Sequence, residues 1–543
     1  MGLDQSFYEY THGGYGLLLA YCLVGACVLA GLIRSRGSVG HYIAWPLVTV
    51  PTLAVAVLAE WIVESVMTGV MHLQLTRFPD VVVDLTVLMA TGFAGGLYWA
   101  SRRAPLGARI RRGAVVHEAA AHPLAAPRRK RRLGAAPLAL AGIAVPAEDE
   151  TKHFKLLGTT GTGKSTALRE LLHGALARGD RAVIADPDGG YLSRFYDPAR
   201  GDVILNPFDA RSAKWDLFAE LKSPYDVEQL ARALIPERGG DPQWPGFART
   251  YFECVTRQAH GAGVTDIGAL YRLLTNAPQE EVRALLAGTA AAPFAEEGNL
   301  KMFLGIRSTA SEHIKSFDYI REQTGPAFSV KAWVRAGRGV LFLPYQAEQI
   351  AAVRAVISTW MRLAIFQTMS LGEGDHRLWF AVDELDALGA IDGLPDALAR
   401  LRKFGGRCAL GLQSIAQVST TYGMGPAQAM VENCGNTLIL RCSASERGGT
   451  ARFASQLIGE REVVRMAASR SRSTPGFFSR GGGGNQTRSQ SEQHATESAV
   501  LPSEIEQLPD RAGFLKFASQ PAWMKVRFPL YELPKVAEPF VPT

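Results

Sequence analysis

The stretch "HFKLLGTTGTGKSTALRELL", His153 to Leu172, decides how the chain is read. Gly158, four residues, then Gly163-Lys164-Ser165 fits GxxxxGK[ST], a phosphate-binding loop. Phe154, Leu156 and Leu157 run into it as a short buried strand, and Leu168, Leu171, Leu172 and Leu176 mark one face of a following helix. The motif needs that context, because the loop must turn its N–H groups inward at the helix N-terminus. Gly158, Thr159, Thr160, Gly161, Thr162, Gly163, Lys164, Ser165 and Thr166 are the expected nucleotide-binding residues. Lys164 would reach the β- and γ-phosphates of ATP, and the Ser165 hydroxyl would ligate Mg²⁺.

Downstream, strand and helix signals alternate: "RAVIADPDGG" gives a strand ending at Asp186, and "GDVILNPFD" gives another. This is the pattern of an α/β domain built on a parallel sheet. From Pro224 the alternation stops, and "DVEQLARALI", "ALYRLLT" and "EEVRALLAG" read as helices without β-branched runs. Strands resume at "RGVLFLPY", followed by a long helix. The organisation expected is an α/β domain over 147–223 and 326–543, with an all-α insertion over 224–325. "HRLWFAVDELDALG" then supplies an apolar strand ending on Asp383-Glu384. An acid at such a strand tip can hold Mg²⁺ opposite Ser165, and Glu384 can polarise a water for attack on the γ-phosphate. The next strand, "RCALGLQS", ends at Gln413, where ligands bind in open α/β sheets, so Gln413 is the candidate γ-phosphate sensor.

Of the 543 residues, 47% are hydrophobic, and they are unevenly placed. Gly14–Ile33, roughly Ile43–Trp61, and Val81–Ala100 each approach the length that crosses a bilayer core of about 30 Å. Residues 1–100 therefore read as a transmembrane region of about three helices, or two. Arg34 and Arg36 follow the first stretch, and Arg102, Arg103, Arg109, Arg111 and Arg112 follow the third, which places everything after residue 100 in the cytoplasm. Residues 101–146 read as a basic linker. The formal charge of +7 is concentrated there: ten Lys or Arg against Glu118 between Ser101 and Leu133 leave the rest of the chain near neutrality. "PRRKRRL" would face anionic headgroups or DNA near the membrane. The six cysteines show no metal-ligand spacing. Ala467–Ser498, rich in Ser, Gly and Arg, is expected to be a mobile loop, and Phe477 and Phe478 within it could touch a single strand.

Taken in order, the apolar stretches, the phosphate loop, "DPDGGY", "NPFDARSAKWDLF", the helical insertion, "VDEL", "GLQS" and "LPSEIEQLPDRAGFLKF" resemble the TraD/TraG-like coupling proteins of bacterial conjugation and type IV secretion. The resemblance runs from residue 14 to about 530. It implies a RecA-like P-loop ATPase, related to DNA-pumping motors and anchored in the inner membrane as a multi-pass protein. It also implies a homohexamer moving single-stranded DNA with its relaxase into a secretion channel. Partners would be the relaxosome, the channel proteins and inner-membrane lipids. The family's trans-acting arginine falls in "LARLRKFGGRC" at Arg402, with Arg400 and Arg407 as rivals. Two departures stand out: a third apolar stretch, and Asp188 where the family often shows a basic residue. A translocase of duplex DNA is the neighbouring alternative, and an ATP-binding cargo receptor that does not pump is the second.

Overall fold

The computed structural model describes residues 14–35, 45–56, 58, 62, 77–101, 109–118, 138–236, 243–445, 449–472 and 486–543. The basic run Arg128–Arg132, the positions Arg36, Arg102 and Arg103, and Phe477 and Phe478 lie outside them. The chain divides into two compact units, Met1–Arg109 with Val464–Ala495, and Ile110–Val463 with Thr496–Thr543.

The first unit contains helices α1 (Gly14–Ser35) and α2 (Arg77–Ser101). They touch through small residues: a Cβ on Gly92 or Gly96 would strike the carbonyls of Val24 and Val28, and one on Gly31 that of Phe93. Glycine at these contacts lets two apolar helices approach backbone to backbone. Leu47, Val50, Val55 and Met89 point outward. Among the described residues one helix, Ile350–Met369 (α4), is long and apolar enough to cross a membrane, but it is mostly buried, and the apolar helices Ala20–Arg34 and Trp45–Ala56 are shorter, so the multi-pass expectation is not supported. Helix α4 is a core helix of the second unit. Where the sequence reads as a mobile loop, Glu460–Arg472 and Gln486–Ser498 instead form neighbouring strands. Backbone pairing sets this regular structure, and the Ser-, Gly- and Arg-rich sequence carries no sustained hydrophobic alternation to announce it.

The second unit is organised by a ten-stranded sheet. Its strands are β1 (Val116–Glu118), β2 (Phe154–Leu157), β3 (Arg181–Pro187), β4 (Val203–Ile204), β5 (Val340–Tyr345), β6 (Leu378–Val382), β7 (Gly406–Leu412), β8 (Asn436–Ile439), β9 (Ala512–Lys516) and β10 (Trp523–Arg527). Their order is β1-β10-β9-β8-β2-β7-β6-β3-β5-β4. From β8 to β4 all pairings are parallel, with Leu157 opposite Leu412 and Val382 opposite Leu410. Strands β9 and β10 run antiparallel to their inner neighbours, and β1 pairs in parallel with β10 at the edge. The central strands are continuous apolar runs because both faces are covered. Leu156, Ile184, Phe342, Trp379 and Ala409 face one core, with Leu168, Leu171 and Leu172 of α3 (Lys164–Ala177). Leu157, Val183, Leu341, Phe380 and Leu410 face the other.

That second core also takes in the helices between Pro224–Leu234 and Ser316–Arg321, through Leu230, Phe252, Phe303 and Phe317. The chain enters and leaves this helical block side by side, Lys214–Trp215 pairing in parallel with Ala327–Phe328. The buried Glu220 carboxylate fastens the neck. It accepts hydrogen bonds from Trp215 Nε1 (3.1 Å), Val330 N (2.6 Å), Lys331 N (3.0 Å) and Ser329 Oγ (3.0 Å). Removing the acceptor strands two buried N–H donors and a half-buried one, which costs about 3 kcal/mol. Glu220→Ala should therefore lower the unfolding free energy by that order in denaturant titrations, and Glu220→Gln by clearly less.

Candidate nucleotide site

The phosphate loop leaves β2 clamped on both sides. Gly158 N donates to Leu412 O (3.2 Å) at the end of β7, and Thr159 N donates to Arg441 O (2.9 Å) just beyond β8. Gly161 and Gly163 hold φ of 78° and 113°, values open to glycine and strained for other residues. Gly163 caps α3, whose Leu168, Leu171 and Leu172 are locked in the core, so the helix N-terminus is aimed rigidly at the loop's mouth. Lys164 is buried, and its ammonium curls back onto Gly158 O and onto Thr159 O (3.1 Å). Burial lowers its pKa, against the pull of Asp383 and Glu384. Those carbonyls satisfy a cation that a phosphate would otherwise take.

The acids arrive from β6. Asp383 Oδ2 accepts from Ser165 Oγ at 2.6 Å and from Tyr191 OH at 2.9 Å. Glu384 Oε1 accepts from Gln413 Nε2 at 2.7 Å, from the end of the neighbouring β7. Burial, then the neighbouring Asp383 charge, raises the pKa of Glu384. A cavity of about 210 Å³ lies between Gly161, Lys164, Ser165, Asp383 and Glu384. Next to it a second, of about 450 Å³, is lined by Thr159, Thr160, Gln413 and Ser443. A hydroxyl beside a carboxylate is a hard oxygen pair of the kind Mg²⁺ accepts when phosphates and water complete its shell. Among the described residues no cluster of three His, Cys, Asp or Glu offers a cage of its own.

Every loop residue, both acids and Gln413 thus meet at the C-terminal edge of the sheet. The arginines do not. Arg402 is exposed on the turn Leu401–Phe404, which precedes β7, so the length of that strand, roughly 20 Å, separates it from this chain's own loop. Arg400 is exposed beside it. Arg407 is buried and engaged with Gly405 O (2.6 Å), Asp375 (2.9 Å) and Glu150 (3.4 Å), which leaves nothing to offer a neighbouring subunit.

Three residues of the site have no counterpart in the sequence reading. Tyr191 fixes Asp383, and Asp186 fixes Tyr191 by accepting from its N–H (2.9 Å) and from that of Leu192 (2.6 Å). The turn between them carries Asp188 at φ 55° and Gly189 at φ 64°. "DPDGGY" held this signal: a strand-end acid, a tight turn, then an aromatic hydroxyl. The third is Asp386, whose pKa burial raises to about 6.

A sequence-family model described as type IV secretion-system coupling protein DNA-binding domain matches residues 137–529. The coupling protein TraD of Escherichia coli (strain K12) is 31% identical over 407 residues, 73% of this chain and 55% of TraD. The chain thus spans about half the length of that relative. Among solved structures, the unbound bacterial conjugative coupling protein TrwBdeltaN70 is 28% identical with a TM-score of 0.69, covering 81% of this chain and 98% of its own. The same coupling protein in complex with ADP and Mg²⁺ matches at 28% identity and TM-score 0.69, over 81% and 99% of the two chains. These likenesses fit an α/β NTPase fold.

Asp186 carries a pH signature. Burial raises its pKa to about 7 from 3.8, so the folded state binds a proton that the unfolded state has released. Stability then falls as pH climbs through that window. Thermal unfolding of the full chain should lose stability between about pH 4 and pH 7 through this group, and Asp186→Asn should flatten that part of the slope.

Proposed function

Because the chain belongs to the type IV secretion-system coupling protein family, we propose that it is a conjugative coupling ATPase that drives single-stranded DNA, with its bound relaxase, into a secretion channel. The observation that carries this reading is the pair of bonds at the loop's mouth: Ser165 to Asp383 at 2.6 Å and Gln413 to Glu384 at 2.7 Å. A binding platform needs the first pair, but only a hydrolase needs the second, a carboxylate with a raised pKa held by an amide at the γ-phosphate end. One strand, β7, lies between the loop strand and the acid strand, which supports a RecA-like motor.

The roles follow from position. Backbone N–H groups from Gly158 to Thr166 cradle the phosphates of ATP, and Lys164 exchanges its two carbonyls for β- and γ-phosphate oxygens. Ser165 and Asp383 hold Mg²⁺, which neutralises phosphate charge when bound. Glu384 orients the attacking water and takes its proton, while Gln413 holds that carboxylate and senses the γ-phosphate. Arg402, exposed and remote from its own loop, would complete the site of the next subunit in a homohexamer.

The outward apolar side chains of the first unit, together with the glycine contacts of α1 and α2, support an inner-membrane anchor, and the arginines that follow the apolar stretches support an ATPase on the cytoplasmic side. The helical block at 224–325 would meet the relaxosome, and the first unit the channel proteins and lipid.

Two outcomes test the motor. In a mating assay, a deletion strain complemented with Lys164→Ala should transfer no DNA; transfer at the wild-type level would remove the reading. Purified Arg402→Ala should bind ATP but hydrolyse it at least about 10³-fold more slowly. Mixing it with Glu384→Gln protein should restore part of the rate, because some interfaces then pair an intact glutamate with an intact arginine. If mixing restores nothing, the arginine does not act across subunits.

A further inference from the structure

The turn before β9 presses a strained arginine against the phosphate loop. Arg511 has φ 58°, the left-handed region that favours glycine. Its N–H donates to Thr162 O at 2.8 Å, inside the loop, and its carbonyl accepts from Phe528 N at 3.0 Å. A Cβ placed on Gly163 would lie 3.0 Å from Arg511 Cγ and 3.3 Å from Phe528 Cζ, so the arginine stem covers that glycine. Arg441 holds the rest of the turn through Asp510 (2.7 Å) and Leu508 O (3.2 Å), while its own carbonyl accepts from Thr159 N (2.9 Å). Asp510 is thereby occupied. Among the described residues the half-buried Arg511 guanidinium has no hydrogen-bond or ion-pair partner.

Sheet order says which end of a nucleotide this cation meets. Asp383, Glu384 and Gln413 follow β6 and β7, on one side of β2. Strand β9 is antiparallel to β8, so its start lies at the same edge of the sheet but on the other side of β2. A triphosphate with its γ-phosphate at the acids therefore extends its α-phosphate toward β8 and β9.

We propose that Arg511 is a nucleotide-binding residue acting within its own subunit, contacting the α-phosphate of nucleoside di- and triphosphates. This rests on the ATPase reading above. The strained backbone is then explained: glycine would fit the turn better but would bring no cation.

That conflict between fit and charge supplies the test. In the full chain, Arg511→Gly should keep or raise the Tm, because glycine relieves the positive φ. It should also weaken Mg²⁺-ADP and Mg²⁺-ATP together, each by about tenfold in Kd, the loss of one charge-assisted contact. Arg511→Lys should fall between, since it keeps the charge without the planar fork. Wild-type affinity for both nucleotides in Arg511→Gly would overturn the proposal. So would loss of ATP binding with ADP binding retained, which would move the contact to the γ-phosphate. If the unsubstituted chain binds neither nucleotide, the ATPase reading fails first, and that result is distinct from both.

Discussion

The bond from Ser165 Oγ to Asp383 Oδ2 joins two elements that lie far apart in sequence and are separated in the sheet by β7. One partner rides on the first turn of α3, the other on the residue after β6. The bond can form only if β2, β7 and β6 are parallel and end level, as Leu157 opposite Leu412 and Val382 opposite Leu410 require. Slipping one strand by a residue would exchange its two faces and draw its tip away from the loop. The two apolar cores exclude such slips, because each central strand must fill both at once. Sheet register is thus what gives the nucleotide site its geometry.

Around that bond the structure adds supports of decreasing visibility. Tyr191 holds Asp383 from β3's side, Asp186 holds Tyr191, and Gln413 holds Glu384 from β7. On the opposite flank Arg441 and Arg511 brace the loop from the sheet's antiparallel edge. Strands on both sides of β2 therefore feel the position of the loop.

The parts of the site legible in the sequence are those written as consecutive residues. The glycine spacing, the "VDEL" strand end and the "GLQS" strand end each place a side chain by local geometry alone. Tyr191 was not legible because its hydroxyl finds Asp383 across 192 positions, and many strand-to-helix turns carry an aromatic. Glu220 was hidden likewise: its partners at Ser329, Val330 and Lys331 are backbone and hydroxyl groups with no sequence mark. The strands Glu460–Arg472 and Gln486–Ser498 escaped because their Ser-, Gln- and Arg-rich sequence shows no sustained period-two hydrophobic pattern. For the arginines, the sequence supplied three candidates, and burial removed one by showing Arg407 committed to Glu150 and Asp375.

The proposed motor must do work on DNA and not merely store a nucleotide. Steady-state ATP turnover of the purified full chain, with Mg²⁺ and with or without single-stranded DNA, measures it most directly. A slow basal rate should rise severalfold with single-stranded DNA and less with duplex. A chain that binds ATP yet shows the same rate with and without single-stranded DNA would contradict the proposed motor.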